Sequence, residues 1–354
     1  MFFCDPPGRS DPSSLHNYGH DVNELHYILF HDQEPIHLDL HLDLFIDAER
    51  RNHDLNHCQG PVKKAIITSE YHSEFVENIC NQFKWKHFYY FFHGWAALDW
   101  YRGYNRSFVI SNPEQRKISH SFISPNRIIG GKRDHRILLM YRLLKNRIQN
   151  ALISFPYDCP VENQSVIELC EKHLCRYPDI IETFSQVSLP WNFPNENGHP
   201  MHSCWLSLFD ECSSSLAFVV TETVFYGRRN HLTEKTFKPI CMQMPFIMVS
   251  TAGSLKYLRS YGFRTFGDLW DESYDDETDN DKRLDKICDL LVSLDQLTDK
   301  ERQDMYQRSL PIIQYNYQHF YGGDFEKILW NELNSMLFDI KKYWGEYMSP
   351  LASL

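Results

Sequence analysis

Short apolar runs alternate with amphipathic stretches along most of the chain. Leu25–Phe30 is apolar and stops at His31-Asp32-Gln33-Glu34-Pro35. Ala65–Thr68 stops at Ser69-Glu70, and Phe88–Phe92 stops at His93-Gly94, with a helical pattern over His72–Phe83 between them. Phe122–Ser124, Ala151–Phe155, Leu216–Val220 and Pro245–Val249 repeat the strand signal. Ile137, Tyr141, Leu144 and Ile148 recur at close to the helical period, with Asp134 placed as an N-cap. Short strands joined by helices predict an α/β fold with parallel sheets, whose ligands sit beyond the carboxyl ends of the strands. Residues 186–203, with three prolines, read as a loop, and the acidic run from Asp268 to Asp281 as a solvated one. The tail reads as helical. Leu284, Ile287, Leu291 and Leu294 share a face, and Thr298 and Glu301 have capping-box spacing. Phe325, Ile328, Leu329, Leu333, Met336, Leu337 and Ile340 form a long stripe after Asp324.

The length, 354 residues, suits two domains at ~100–200 residues each. The expected division is an N-terminal α/β domain over 1–115, a second over 116–320, and a helical segment, 321–354, returning to the first. Hydrophobic residues at 42% and charged residues at 23% exclude a disordered or coiled-coil chain. The net charge of −11 argues against holding nucleic acid by bulk charge, while leaving room for a local basic groove. No apolar run reaches the ~20 residues of a membrane helix. The opening MFFCDPPGRSDPSS lacks the basic and apolar regions of a secretory signal. Ten cysteines without a CxxC pair then read as reduced thiols, which predicts a cytoplasmic protein.

Chemistry concentrates in residues 214–262. A strand ends in Thr221-Glu222, a polar loop follows, and Thr233-Glu234-Lys235 opens a helix with Phe237, Ile240, Cys241 and Met244 on its apolar face. The Thr233 hydroxyl suits the N-cap. A helix N-terminus favours anions, and Lys235 adds a full positive charge there. Glu234 can accept from the vicinal hydroxyls of a ribose. Pro239 interrupts the helix, a local violation of the kind found at functional sites. Taken alone, Thr-Glu-Lys is more simply a capped, kinked surface helix.

The ordered set Leu216-Ala217-Phe218, Glu222, Thr233-Glu234-Lys235 and Pro245-Phe246 resembles the sugar-nucleotide half of the family 10 α-1,3-fucosyltransferases. The resemblance covers about 50 residues. It implies a GT-B type fold, with two Rossmann-like domains facing across a cleft and the nucleotide-sugar donor held by the C-terminal one. It places Lys235 on the diphosphate, Glu234 on the ribose and Glu222 by the donor sugar. It also asks for a phosphate-binding arginine near the first strand of the donor domain, for which Arg127, Arg133 and Arg136 are the candidates. Thr233 and Lys238 complete the expected donor set. The family's Asn directly after the first Glu is Thr223 here.

An inverting transferase also needs a base for the acceptor hydroxyl. Glu34 is favoured, with Asp32 and His31 as further choices, against a plain polar turn. Glu70 and His93 would line the same acceptor rim. Trp95, Trp100 and Tyr101 are candidate sugar-stacking residues, though core packing is their commoner fate. His37, Asp39, His41 and Asp43 alternate with leucines and have metal-ligand types, but an amphipathic element with a wet face explains them better. The expected enzyme is therefore a metal-independent glycosyltransferase without a resident cofactor, taking a nucleotide sugar and a saccharide or other hydroxyl acceptor. The alternatives are a non-catalytic nucleotide-sugar- or glycan-binding protein of the same fold and a glycosyltransferase acting on hydroxylated DNA bases.

Overall fold

The computed structural model describes residues 2–4, 27–31, 64–105, 112–193 and 205–344. The chain forms two compact units, 1–93 with 327–354, and 94–326. Both are α/β with parallel sheets.

In the first unit, β1 (Phe2–Cys4), β2 (Tyr27–His31), β3 (Lys64–Thr68) and β4 (Lys86–Tyr89) lie side by side in chain order, all parallel. Between β3 and β4 runs α1 (Glu74–Phe83), which buries Val76, Ile79 and Cys80 against Ile66 and Trp85. Its N-cap is Ser73, whose Oγ accepts from Val76 N–H and donates to the buried Glu70 carboxylate. The apolar FYYFF run is not one strand. It leaves the sheet after Tyr89: Tyr90 N–H makes the last ladder bond, to Thr68 O, and Phe92 N–H then turns to Ser69 Oγ. A helix, α2 (Phe92–Tyr101), starts there, so His93 and Gly94 lie in a helical first turn instead of closing a strand.

The second unit is built on β5 (His120–Pro125), β6 (Leu152–Ser154), β9 (Ser215–Thr221) and β10 (Phe246–Val249), ordered β10-β9-β5-β6 and all parallel. Between β6 and β9, among the described residues, stand a short antiparallel hairpin, β7 (Asp158–Cys159) and β8 (Gln164–Ser165), and the helices α4 (Val166–His173), α5 (Ile180–Ser185) and α6 (Phe209–Ser213). Every residue of β9 and β10 is buried, as expected of parallel strands covered on both faces. After β5, helix α3 (Asp134–Lys145) leads to β6 on one side. The chain then returns to β9 on the other side of β5, and α7 (Glu234–Cys241) carries it on to β10. The connections therefore diverge between β5 and β9, the switch point at which open α/β sheets bind ligands.

Three local expectations change. Asp134 does not cap α3; Arg133 holds the N-cap position without a side-chain bond, and Asp134 is the first helical residue. That helix is buried nearly all round, from His135 through Tyr141, and ends before Ile148. The acidic run is not simply solvated. Asp275 is buried and accepts from Leu255 N–H (2.9 Å) and Lys256 N–H (3.0 Å), capping α8 (Ser254–Ser260). Glu272 accepts from Thr265 Oγ1 and Phe266 N–H, both at 2.7 Å. Burial raises both carboxyl pKa values.

The tail comprises α9 (Asn280–Asp295), α10 (Asp299–Tyr321) and α11 (Asp324–Trp344). The Thr298–Glu301 capping box is formed. Leu284, Ile287, Leu291 and Leu294 are buried, as are Phe325, Leu329, Met336 and Ile340. Leu337 is exposed, so the last stripe is narrower than its sequence. Cys80, Cys159, Cys170, Cys175, Cys212, Cys241 and Cys288 are free thiols, and all but Cys175 are buried. No described helix is long and apolar enough to cross a membrane.

Candidate functional site

The exits of β5, β6 and β9 are tied together. Thr221 Oγ1 donates to Asn126 Oδ1 (3.0 Å), and Asn126 N–H donates to Ser154 O (3.1 Å). These bonds fix the carboxyl edge of the sheet at the switch point.

Glu222 follows directly and is completely buried. Its Oε1 accepts from Thr233 N–H (3.0 Å) and Thr236 Oγ1 (2.6 Å). Its Oε2 accepts from Thr233 Oγ1 (2.7 Å) and Thr223 N–H (3.2 Å). The carboxylate thus sits at the positive end of α7, in the anion position that a helix N-terminus creates. Thr233 is the N-cap, as its hydroxyl predicts, and accepts from Lys235 N–H. At the other end of α7, Arg116 donates to Met242 O (2.9 Å) and Gln243 O (3.0 Å). A buried carboxylate and a buried guanidinium therefore bracket the helix in the sense its dipole favours.

Lys235 projects from the first turn of α7. Its Nζ donates to Thr223 Oγ1 (3.1 Å), Thr233 Oγ1 (3.3 Å) and Glu234 Oε1 (3.2 Å). The Lys235 side chain is partly exposed, at 27%, whereas that of Glu234 is nearly covered, at 8%. Lys238 lies in the last turn of α7, away from this end.

The arginine cluster divides. Arg136 is buried and donates to Ile128 O (2.7 Å), Thr221 O (2.8 Å) and Glu222 O (3.3 Å), so it clamps the strand exit rather than presenting a cation. His135 beside it stacks on Phe225 (5.0 Å, 10°) and bonds Glu222 O through Nε2 (3.0 Å). Burial, reinforced by Arg136, holds its pKa well below 6.5. The ring is therefore neutral and its Nε2–H is the donor to that carbonyl.

Ahead of α3, Gly130-Gly131-Lys132-Arg133 makes a turn closed by Arg133 N–H to Gly130 O (3.3 Å). Gly131 (φ 61) and Lys132 (φ 63) are both left-handed, which costs a residue with a side chain ~1–2 kcal/mol. Partial desolvation, then Arg229, lower the Lys132 pKa. Arg229 reaches there from the β9–α7 loop, whose backbone is fixed by Thr251 Oγ1 donating to Arg229 O (2.6 Å). Arg127, just past β5, is half-buried.

The remaining expected residues fall elsewhere. Glu70 is buried at the exit of β3, where it holds the α1 cap. His31 is the last residue of β2, and Asp32, Glu34 and the His37–Asp43 segment lie outside the described residues. Tyr101 is fully buried with its hydroxyl toward Glu234 O (3.5 Å), so it packs in the core, while Trp95 and Trp100 are half-buried. No group of three or more His, Cys, Asp or Glu among the described residues is arranged to hold a metal.

Arg283 has no counterpart in the sequence reading. It is buried under the same edge and donates to Phe225 O (2.6 Å), Ser250 O (3.0 Å), Glu277 O (2.9 Å) and Asn280 Oδ1 (2.7 Å), with its guanidinium 4.3 Å from the Phe225 ring centroid. Burial lowers its pKa to about 10. No protein-family model, curated protein or solved structure matches the chain.

Proposed function

We propose that the chain is a nucleotide-sugar glycosyltransferase whose donor diphosphate binds at the carboxyl edge of the second sheet. The observation that supports this best is the placement of Lys132 and Arg133 after β5, and of Arg229 and Lys235 after β9, the two strands that flank the switch point. Stabilising a leaving diphosphate is the main electrostatic demand of the transfer, and these cations supply the charge. Because Glu222 occupies the end of α7, the reading assigns the phosphates to Lys235 and the Gly130–Arg133 turn, not to the helix N-terminus. Glu234 serves the ribose. The reading carries with it a GT-B type chain of two Rossmann-like domains, with the acceptor and its base, Glu34 or Asp32, in the first.

Glu222 favours a second reading, a nucleotide-sugar-binding protein without transfer. The carboxylate expected beside the donor sugar is engaged by four donors inside the fold.

A thermal-shift panel of nucleoside diphosphates and nucleotide sugars tests the binding claim. A ligand at 100-fold its Kd adds about 2.7 kcal/mol, a rise of several degrees. Lys235→Ala should remove the shift. No shift with any nucleotide, or an undiminished shift in Lys235→Ala, sinks the proposal. Release of the sugar from the stabilising donor, with or without acceptor, separates the two readings.

A further inference from the structure

An ammonium has three protons, and three acceptors meet that of Lys235: Thr223 Oγ1 (3.1 Å), Glu234 Oε1 (3.2 Å) and Thr233 Oγ1 (3.3 Å). Thr223 and Thr233 are buried, so their hydroxyls hold the ammonium from within the fold. The Thr233 hydroxyl gives its own proton to Glu222 Oε2 (2.7 Å), which leaves its lone pairs for the lysine. Glu234 is the charged member of the three acceptors, and its side chain is nearly covered. At 3.2 Å the ammonium is part of that cover.

There is no fourth proton to offer. A phosphate oxygen that takes one displaces an acceptor already in place. Whichever bond yields, the incoming anion stands beside Glu234, and two anions on one cation repel. Where Glu234 itself yields, a covered carboxylate loses its cation, which is the costly way to break a buried pair. A bare anion therefore meets a penalty at Lys235. A ligand that carries hydroxyl donors next to its phosphate relieves it, because the hydroxyls donate to Glu234 as the ammonium turns to the phosphate. The vicinal diol of a ribose supplies two such donors to the two carboxylate oxygens.

We infer that Glu234 is the specificity-determining residue of the phosphate site: through its ion pair with Lys235 it couples phosphate binding to diol binding, and so selects ribonucleotides over phosphates that lack the diol. The inference rests on the nucleotide reading above. Diol and phosphate are then positively coupled, and couplings of this kind amount to ~5–150-fold in affinity.

Calorimetric titration of the full chain tests it, with the diphosphates of adenosine, guanosine, cytidine and uridine, their 2′,3′-dideoxy counterparts, and inorganic pyrophosphate. In the wild type the best-bound ribonucleoside diphosphate should exceed its dideoxy counterpart by about tenfold or more. Glu234→Gln keeps the shape and one acceptor oxygen but removes the charge. It should bind pyrophosphate about tenfold more tightly than the wild type and narrow the preference for the diol to about twofold. Asp158→Asn removes one exposed negative charge from the β7–β8 hairpin and should leave both quantities unchanged. A wild type that binds ribo and dideoxy forms equally overturns the selection and leaves the nucleotide reading standing; that comparison needs no variant to fold. Pyrophosphate binding unchanged by Glu234→Gln overturns it as well. Equal tightening by Asp158→Asn also overturns it, because the effect is then one of general charge. No binding of any nucleoside diphosphate by the wild type overturns both.

Discussion

Truncation of Glu222 is the perturbation with the largest calculable consequence. Glu222→Ala leaves the N–H groups of Thr223 and Thr233, and the hydroxyls of Thr233 and Thr236, without their carboxylate in a site with no solvent exposure. The hydroxyls can rotate toward other acceptors. The two N–H groups cannot, and each buried orphan costs ~1–3 kcal/mol. Removing the negative charge also takes a favourable partner from the positive end of α7, worth up to ~2 kcal/mol when buried. The two orphans and the lost charge sum to about 2–8 kcal/mol, a large part of the ~5–15 kcal/mol that holds a domain folded. Glu222→Gln keeps one acceptor oxygen but turns an amide N–H toward existing donors, so it should cost roughly half as much. Urea unfolding gives the size of the loss. Hydrogen exchange localises it, with protection lost first over residues 221–241. The reasoning is refuted if both variants unfold within ~0.5 kcal/mol of the wild type. Unchanged stability with lost transfer would instead place the carboxylate in the chemistry.

Other consequences follow from groups around the same edge. Arg283→Met should cost about 3–5 kcal/mol in urea unfolding, because three carbonyls and an amide oxygen lose a buried charged donor. His135 is neutral in the fold and protonates in the unfolded chain below 6.5. Stability should therefore fall as pH drops below that value, by up to ~1.4 kcal/mol per unit, and His135→Phe should flatten that part of a Tm-against-pH curve. Glu272 works in the opposite sense. Its raised folded pKa gives a contribution present below 4.5 and lost as pH rises through the folded value, and Glu272→Gln should abolish that slope.

The strands of the second sheet were readable because continuous apolar runs such as LAFVV and PFIMV, bounded by polar residues, have few other fates. Caps with paired partners were equally plain, as in Thr298–Glu301. Ser165 and Glu168 have the same spacing and form the same box at the start of α4, a signal that would have found that helix. Periodicity fails where burial depends on distant chain. In FYYFF the strand ends where Phe92 N–H turns from the ladder to Ser69 Oγ, a side chain on the neighbouring strand's exit that hydropathy does not show. Charge counting fails for Glu272 and Asp275, whose burial is compensated by backbone N–H groups that composition does not show. The Thr-Glu-Lys triplet was visible as a helix opening. The filling of that opening by Glu222 was not, since it requires the eleven-residue loop return to be known in space. Arg136 looked like a phosphate ligand, and Arg283 like any arginine, until the carbonyls they hold were placed.

Hydrogen exchange read by mass spectrometry, with and without a saturating nucleoside diphosphate, tests the central claim most directly. The account predicts added protection confined to peptides spanning 126–136 and 221–236, and its loss in Lys235→Ala. Protection absent from both segments, or appearing only in peptides of the first unit, contradicts it.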